Sequence, residues 1–272
     1  MARPKKPTVR DAIDFWERAK RRSGPIGKTN MYFANKLADS LGDAKVMELT
    51  GADLADYVDR GQGAPAQRRE INLVKGLVNY YRKMHGHEPL YLDRPRDNPG
   101  RTRWMTAEER DKFLAAAPPA LAPVAHGLFF TGGRRSEMTK LRPSQVDYKE
   151  RFVLLATRKT KGAVLKTRAI PIHDRLWPFI EGTEGQRLVF PGPTGEEWSG
   201  HALYRAWWTT LVSCGFADFR PHDARHTFAS ELVRQGVSLR VVADLLGHST
   251  MAMVMRYTHV ATDDTRDAVL RL

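Results

Sequence analysis

Residues 92–103, LDRPRDNPGRTR, most limit what this chain can become. Pro95, Pro99, Gly100 and four arginines occur there without a helical period, so neither a helix nor a strand runs through the stretch. The 272 residues are thereby cut into two pieces, each long enough to build a core of its own. Before the cut lie helical patterns at 8–22, 29–41, 51–60 and 66–85; in the last, Val74, Leu77, Val78 and Tyr81 recur at i, i+3, i+4 and i+7. The expected organisation is a basic arm over 1–7, an all-helical unit over 8–92, a linker over 93–104 and a second unit over 105–272.

The second unit opens with TAEE, residues 106–109, a capping box with Thr106 as N-cap and Glu109 at the third helical position. Helices resume around 199–213, 222–235, 239–246 and 250–257. Between them RFVLLATRKTKGAVLKTRAIPIH, residues 151–173, places two β-type runs around a basic, glycine-containing turn, as in a hairpin. The fold class is therefore mainly α, an all-helical domain followed by a mostly helical domain with a small sheet. There is no internal repeat and no low-complexity tract.

Charge narrows the partners. A formal net charge of +13 favours a polyanion, most simply nucleic acid, over acidic or neutral small molecules. No apolar run approaches the ~20 residues that a membrane span needs, and MARPKKPTVR has no apolar segment behind its charges. One cysteine, Cys214, cannot form a bridge within the chain and reads as a small buried thiol at a helix end. Together these predict an intracellular, cytoplasmic protein.

The densest chemistry lies near the end. In RPHDARHTFASELVRQG, Pro221 and Gly236 bracket a helix, on which His222 and Arg225 share a face. His222 and His226 have the i, i+4 spacing of a zinc helix, but a guanidinium between the two ligands repels a divalent cation and no third ligand is evident. The His222/Arg225 pair suits a phosphate instead, the arginine fork on two oxygens and the imidazole beside it. TGGRRSE, residues 131–137, brings Arg134 to a helix start behind two glycines that would let backbone approach a ligand, with Glu137 one turn on. It is not a P-loop, which needs a further glycine and Lys-Ser/Thr. The hairpin turn offers Lys159 and Lys161, and LLGHS offers His248. In LGHSTMAMVMRYTHV, Tyr257 stands in a polar, cationic setting after a methionine-rich turn, as though its hydroxyl faced something charged.

In this order and spacing TGGRRSE, TKG with RAIPIH, HDARHTFAS, LLGHS and RYTH resemble the tyrosine recombinase (phage integrase) family across residues 105–260. Gly133 departs from the leucine usual in that family. The resemblance implies a helical core-binding domain and a catalytic domain closing around duplex DNA. It also implies Arg134 and Arg225 on the scissile phosphate, Lys161 as general acid on the hairpin, His222 and His248 as hydrogen-bond donors, and Tyr257 as nucleophile. Lys159 remains the alternative to Lys161, and Glu137 is expected to orient the cluster from behind. Attack by tyrosine would leave a 3′-phosphotyrosine link and a free 5′-hydroxyl, a transesterification that conserves the phosphodiester and calls for no ATP, metal or other cofactor.

Lys5 and Lys6 in the arm, with Arg94, Arg96, Arg101 and Arg103 in the linker, are candidate phosphate contacts. The implied partners are double-stranded DNA, a homotetramer on paired sites and an accessory DNA-bending protein; the tail, TDDTRDAVLRL, is expected to dock on a neighbouring protomer. Three functions stay open. One is integration by a phage or mobile-element recombinase. Another is Xer-like resolution of multimers, which gains weight because the helices begin near residue 8 and leave no room for a separate arm-site-binding domain. The third is a non-catalytic regulator, since ELVRQGVSLRVVADLL, residues 231–246, mimics a helix-turn-helix.

Overall fold

The computed structural model describes residues 6–59, 64–91, 103–157, 166–248, 250–255 and 257. The chain forms two compact units, Met1–Gly100 and Arg101–Leu272. Lys5, Arg94, Arg96, Arg101, Lys159, Lys161 and the tail after Tyr257 lie outside the described residues.

The first unit holds α1 (Val9–Arg22), α2 (Lys28–Leu41), α3 (Gly51–Asp59) and α4 (Ala64–Met84). Thr8 starts α1 through a capping box with Asp11, and Val9, Ala12, Ile13 and Trp16 turn its apolar stripe inward. They meet Leu37, Leu54, Val74, Leu77, Val78 and Tyr81 in one core. Inside this bundle sits a carboxylate, Glu70, with no exposed surface. It is tolerated because Lys36 Nζ lies 2.8 Å from it and the Tyr57 hydroxyl donates to it at 2.6 Å, so its charge and lone pairs are met. The pairing ties α2, α3 and α4 together.

The second unit begins with α5 (Ala107–Ala116), and the Thr106–Glu109 capping box forms as its sequence requires. α6 (Leu121–Thr131) is apolar nearly all round and is correspondingly buried. The one-turn α7 (Arg135–Met138) follows. A three-stranded antiparallel sheet then forms from β1 (Val146–Asp147), β2 (Phe152–Thr157) and β3 (Lys166–Pro171), in the order β1-β2-β3. Val153 pairs with Ile170 and Leu155 with Arg168. The hairpin was legible from two β-type runs around a glycine-containing turn; the two-residue β1 was too short to leave a period.

α8 (Gly200–Ser213) is capped by Ser199, whose hydroxyl accepts from the Ala202 N–H, and Cys214 ends it as a buried thiol. α9 (Asp223–Arg234) and α10 (Leu239–Leu246) complete the series. Trp207, Phe113, Phe129, Phe190 and Phe219 form the aromatic centre of the core, and Trp207 Nε1 donates to the Phe219 carbonyl at 3.0 Å. A second cluster joins Ala229, Val233, Val242, Ala243, Leu246, Val254 and Tyr257.

Pro221 and Gly236 bracket α9 as expected, with His222 as its N-cap residue and Gln235 as its C-cap; one expectation needs correction. The expected helix over 250–257 is 3-10 in character: Met251–Met253 forms a 3-10 turn, and the Val254 and Tyr257 N–H groups bond three residues back, to the Met251 and Val254 carbonyls. Among the described residues no helix is long and apolar enough to cross a membrane.

Candidate active site

Four elements of the second unit converge on one cluster of charge. α6 ends at Gly132, whose φ of +60° is the left-handed cap conformation that glycine adopts without strain. A Cβ on Gly132 would come 2.4 Å from Phe228 Cδ1, and one on Gly133 would come 2.7 Å from Met138 Cε. Gly132 is thus required by its left-handed conformation and by packing against Phe228, whereas the atom nearest Gly133 is the end of a flexible methionine side chain. The two glycines let the chain reverse and set Arg134 at the start of α7. With only four residues, α7 contributes little dipole; the Arg134 N–H is met by the Glu137 carboxylate at 2.7 Å.

Glu137 is the hub. Its carboxylate accepts from Arg134 Nη1 at 2.9 Å and from Arg168 Nη2 at 2.6 Å. Burial by itself pushes this carboxyl up, yet the hydrogen bonds and charges of Arg168 and Arg134 outweigh that and hold it down at about 2. Glu137 is therefore ionised throughout the neutral range.

Arg225, on the first turn of α9, is 3% exposed. Its guanidinium donates to the Gly132 carbonyl at 2.8 Å and to the Leu246 carbonyl, which fastens α9 to the end of α6 and the end of α10. Burial, then the neighbouring charges of Arg134 and Arg168, lower it to about 10, while Glu137 and Tyr257 act the other way. It stays cationic at neutral pH. With Arg168 matched two-pronged to Glu137, Arg134 and Arg225 leave a surplus of positive charge, and an oxyanion placed there would relieve their mutual repulsion.

His248 follows Gly247, which caps α10 at φ +66°. The His248 N–H donates to the Ala243 carbonyl at 2.9 Å, and its side chain is buried. Tyr257 is 2% exposed and packs with Val254, Leu246 and Val242. It is a core tyrosine by burial, against the polar setting read from its sequence neighbours. Its hydroxyl nevertheless lies 2.8 Å from His226 Nδ1. His222 is exposed, with its ring edge-on to that of His226 at 5.5 Å.

The expected residues Arg134, Glu137, His222, Arg225, His248 and Tyr257 thus share one region, and two members were not anticipated. His226 had been considered only as half of a metal pair; its i+3 and i+7 neighbours Ala229 and Val233 are buried, so its face was readable as inward. Arg168 falls on the inward phase of β3 with Ile170, between exposed Thr167 and Ala169, and an arginine on that phase was the available signal. Of the remaining candidates, Arg103 sits 3.2 Å from Glu109 and donates to the Trp104 carbonyl, with its guanidinium over the Phe219 ring. These contacts anchor the start of the second unit, with the Arg103 side chain still about a third exposed. Lys6 pairs with Glu48 at 2.6 Å.

Fold and site together define a class: a mainly helical domain with a small sheet, in which a phenol and imidazoles border an anion-binding group of arginines. Residues 103–264 match the family model described as the phage integrase family, and the chain belongs to that family. It is 30% identical over 287 residues to the integrase of Escherichia phage 186, covering 96% of this chain and 80% of that one. It is 30% identical over 253 residues to the tyrosine recombinase XerD of Neisseria meningitidis serogroup B, covering 83% and 84%. The match to the tyrosine recombinase of Pseudothermotoga lettingae, 32% identical over 154 residues, takes in 53% of this chain and spans about half, 51%, of that protein.

Among solved structures, the Tn1549 transposon integrase in complex with a circular intermediate DNA superposes with a TM-score of 0.76 at 16% identity, covering 97% and 99% of the two chains. The lambda integrase tetramer bound to a Holliday junction gives 0.71 at 20% identity, covering 90% and 78%. At these identities the likeness is one of fold.

Proposed function

We propose that this chain is a site-specific DNA recombinase that cuts and rejoins duplex DNA through a 3′-phosphotyrosine intermediate formed on Tyr257. The observation that carries the reading is the Tyr257 hydroxyl at 2.8 Å from an imidazole nitrogen, on the same helix as the buried Arg225. A phenol with a pKa of ~10 attacks phosphorus poorly until a neighbour takes its proton and the phosphate charge is neutralised. His226 is placed to take the proton. Arg134 and Arg225 supply the neutralisation, and His222 and His248 donate hydrogen bonds as charge builds in the pentavalent transition state. Lys161 on the hairpin protonates the departing 5′-oxygen. The Tyr257 O–P bond forms as the P–O5′ bond breaks, so one phosphodiester-type bond replaces another and re-ligation needs no outside energy. Because Tyr257 is 2% exposed, the segment 251–257 has to shift for the hydroxyl to meet a phosphate.

In this reading the first unit is a core-binding domain, the linker arginines Arg94, Arg96 and Arg101 follow the phosphate backbone, and four copies act on paired sites in the cytoplasm with an accessory DNA-bending protein. Integration and Xer-like multimer resolution share this chemistry. Relatives of both kinds are 30% identical to this chain, the phage 186 integrase over 96% of it and XerD over 83%. A purely regulatory role for α9 and α10 is disfavoured, since α9 carries Arg225 and His226 and the turn that follows α10 carries His248.

The test uses a nicked suicide duplex bearing the sequence that the protein selects from a randomised pool. The unaltered chain is expected to leave a covalent protein–DNA adduct, and Tyr257→Phe to bind the duplex without one. An adduct that persists in Tyr257→Phe would remove Tyr257 as nucleophile.

A further inference from the structure

Arg168 has no part in the reaction as described, yet its placement is costly. Its side chain is 5% exposed, on the inward face of β3, where an arginine is sustained only by full pairing. The pairing is two-pronged: Nη2 lies 2.6 Å from one Glu137 oxygen and Nη1 3.3 Å from the other. A planar fork reaches both oxygens at once, which a lysine ammonium cannot reproduce. Glu137 passes the restraint on, since the same carboxylate accepts from the backbone N–H and the side chain of Arg134.

A second contact points the same way. A Cβ on Gly247 would lie 3.1 Å from Arg168 Nη1 and 3.2 Å from its Cδ, so the turn that presents His248 rests directly on the Arg168 side chain. Only a glycine at φ +66° fits there closely. One arginine on the hairpin strand therefore touches the supports of two separate site residues.

We propose that Arg168 is a positioning residue of the strand-transfer reaction, fixing the Glu137 carboxylate against Arg134 and bracing the Gly247 turn that carries His248. The proposal rests on the recombinase reading and adds to it a residue that meets no DNA. The groups facing Glu137 are Arg134 from its own turn, Arg168 from β3 and Arg225 from α9. Without Arg168, burial gains on the remaining cations and the carboxyl rises.

The experiment measures adduct formation on the same nicked duplex, from acid to neutral pH, by the full chain and by Arg168→Met, Arg168→Lys, Glu137→Gln and the Arg168→Met/Glu137→Gln double variant. Arg168→Met is expected to slow adduct formation about 10- to 100-fold, as loss of an orienting partner does, with duplex affinity unchanged. The acid limb of its rate profile should move to higher pH. Arg168→Lys should recover part of the rate, and the double variant should be no slower than the slower single one. Unaltered rate and acid limb in Arg168→Met, additive losses in the double variant, or a fall in duplex affinity matching the fall in rate would each overturn the proposal. If Arg168→Met does not fold by circular dichroism, Arg168→Lys decides, an unmoved acid limb counting against the role. Absence of an adduct from the unaltered chain would count against the recombinase reading alone. The Glu137 titration followed by carboxyl 13C shift, without DNA, then tests Arg168: the value must rise in the Arg168 variant, and an unmoved one rejects the proposal.

Discussion

His226 Nδ1 lies 2.8 Å from the hydroxyl of Tyr257, and both side chains are buried. The contact closes the last described turn of the chain onto α9 and holds the phenol against an imidazole nitrogen. A buried pair of this kind contributes about 1 kcal/mol net, while leaving one partner unmet costs about 1–3 kcal/mol. Tyr257→Phe and His226→Leu should each lower stability by about that amount in urea unfolding, and the double variant should lose less than the sum. Strictly additive losses would show that the two groups do not interact in solution.

Acid should weaken the site through Glu137. Its folded pKa, about 2, lies below the ordinary 4.5, so its contribution to stability is fully present above 4.5 and fades as pH falls toward 2. The stability gap between the unaltered chain and Glu137→Gln is therefore expected to be on the order of a few kcal/mol at neutral pH and to shrink through that window. A gap that stays constant from pH 6 to about 2.5 would contradict the ionised, paired state.

The general acid is open to a chemical test. A leaving group that needs no proton makes the acid dispensable, so a bridging 5′-sulfur in place of oxygen should restore cleavage to the variant lacking it. Rescue is expected for Lys161→Ala, with Lys159→Ala showing at most weaker binding. Rescue at Lys159 instead would reassign the acid; rescue at neither would move it to another residue.

The arginines around the linker should divide into two kinds. Replacing Arg94, Arg96 and Arg101 together is expected to flatten the dependence of log affinity on log salt by about 0.9 for each phosphate that is no longer neutralised. Arg103→Ala, whose guanidinium serves Glu109 and Phe219, should leave that slope intact and lower the melting temperature of the chain. A flattened slope in Arg103→Ala would return it to the DNA-contacting set.

The residues around these tests also mark how far the linear chain could be read. The Thr106–Glu109 capping box, the α4 stripe and the hairpin were legible because each depends on residues close together in the chain or on β-type runs around a glycine-containing turn. The motif residues Arg134, Arg225, His248 and Tyr257 were legible by type and order. Tertiary structure decided what each touches. It turned Tyr257 into the core, because Val242, Leu246 and Val254 close over the ring from segments with no sequence periodicity in common. It paired Glu137 with Arg168 across 31 residues and Arg225 with the Gly132 carbonyl across 93, distances over which no local pattern signals contact. It also set Arg103 beside Glu109. Charge along a chain states how many cations there are; only the fold, by placing carboxylates and carbonyls beside some of them, determines which remain for a polyanion.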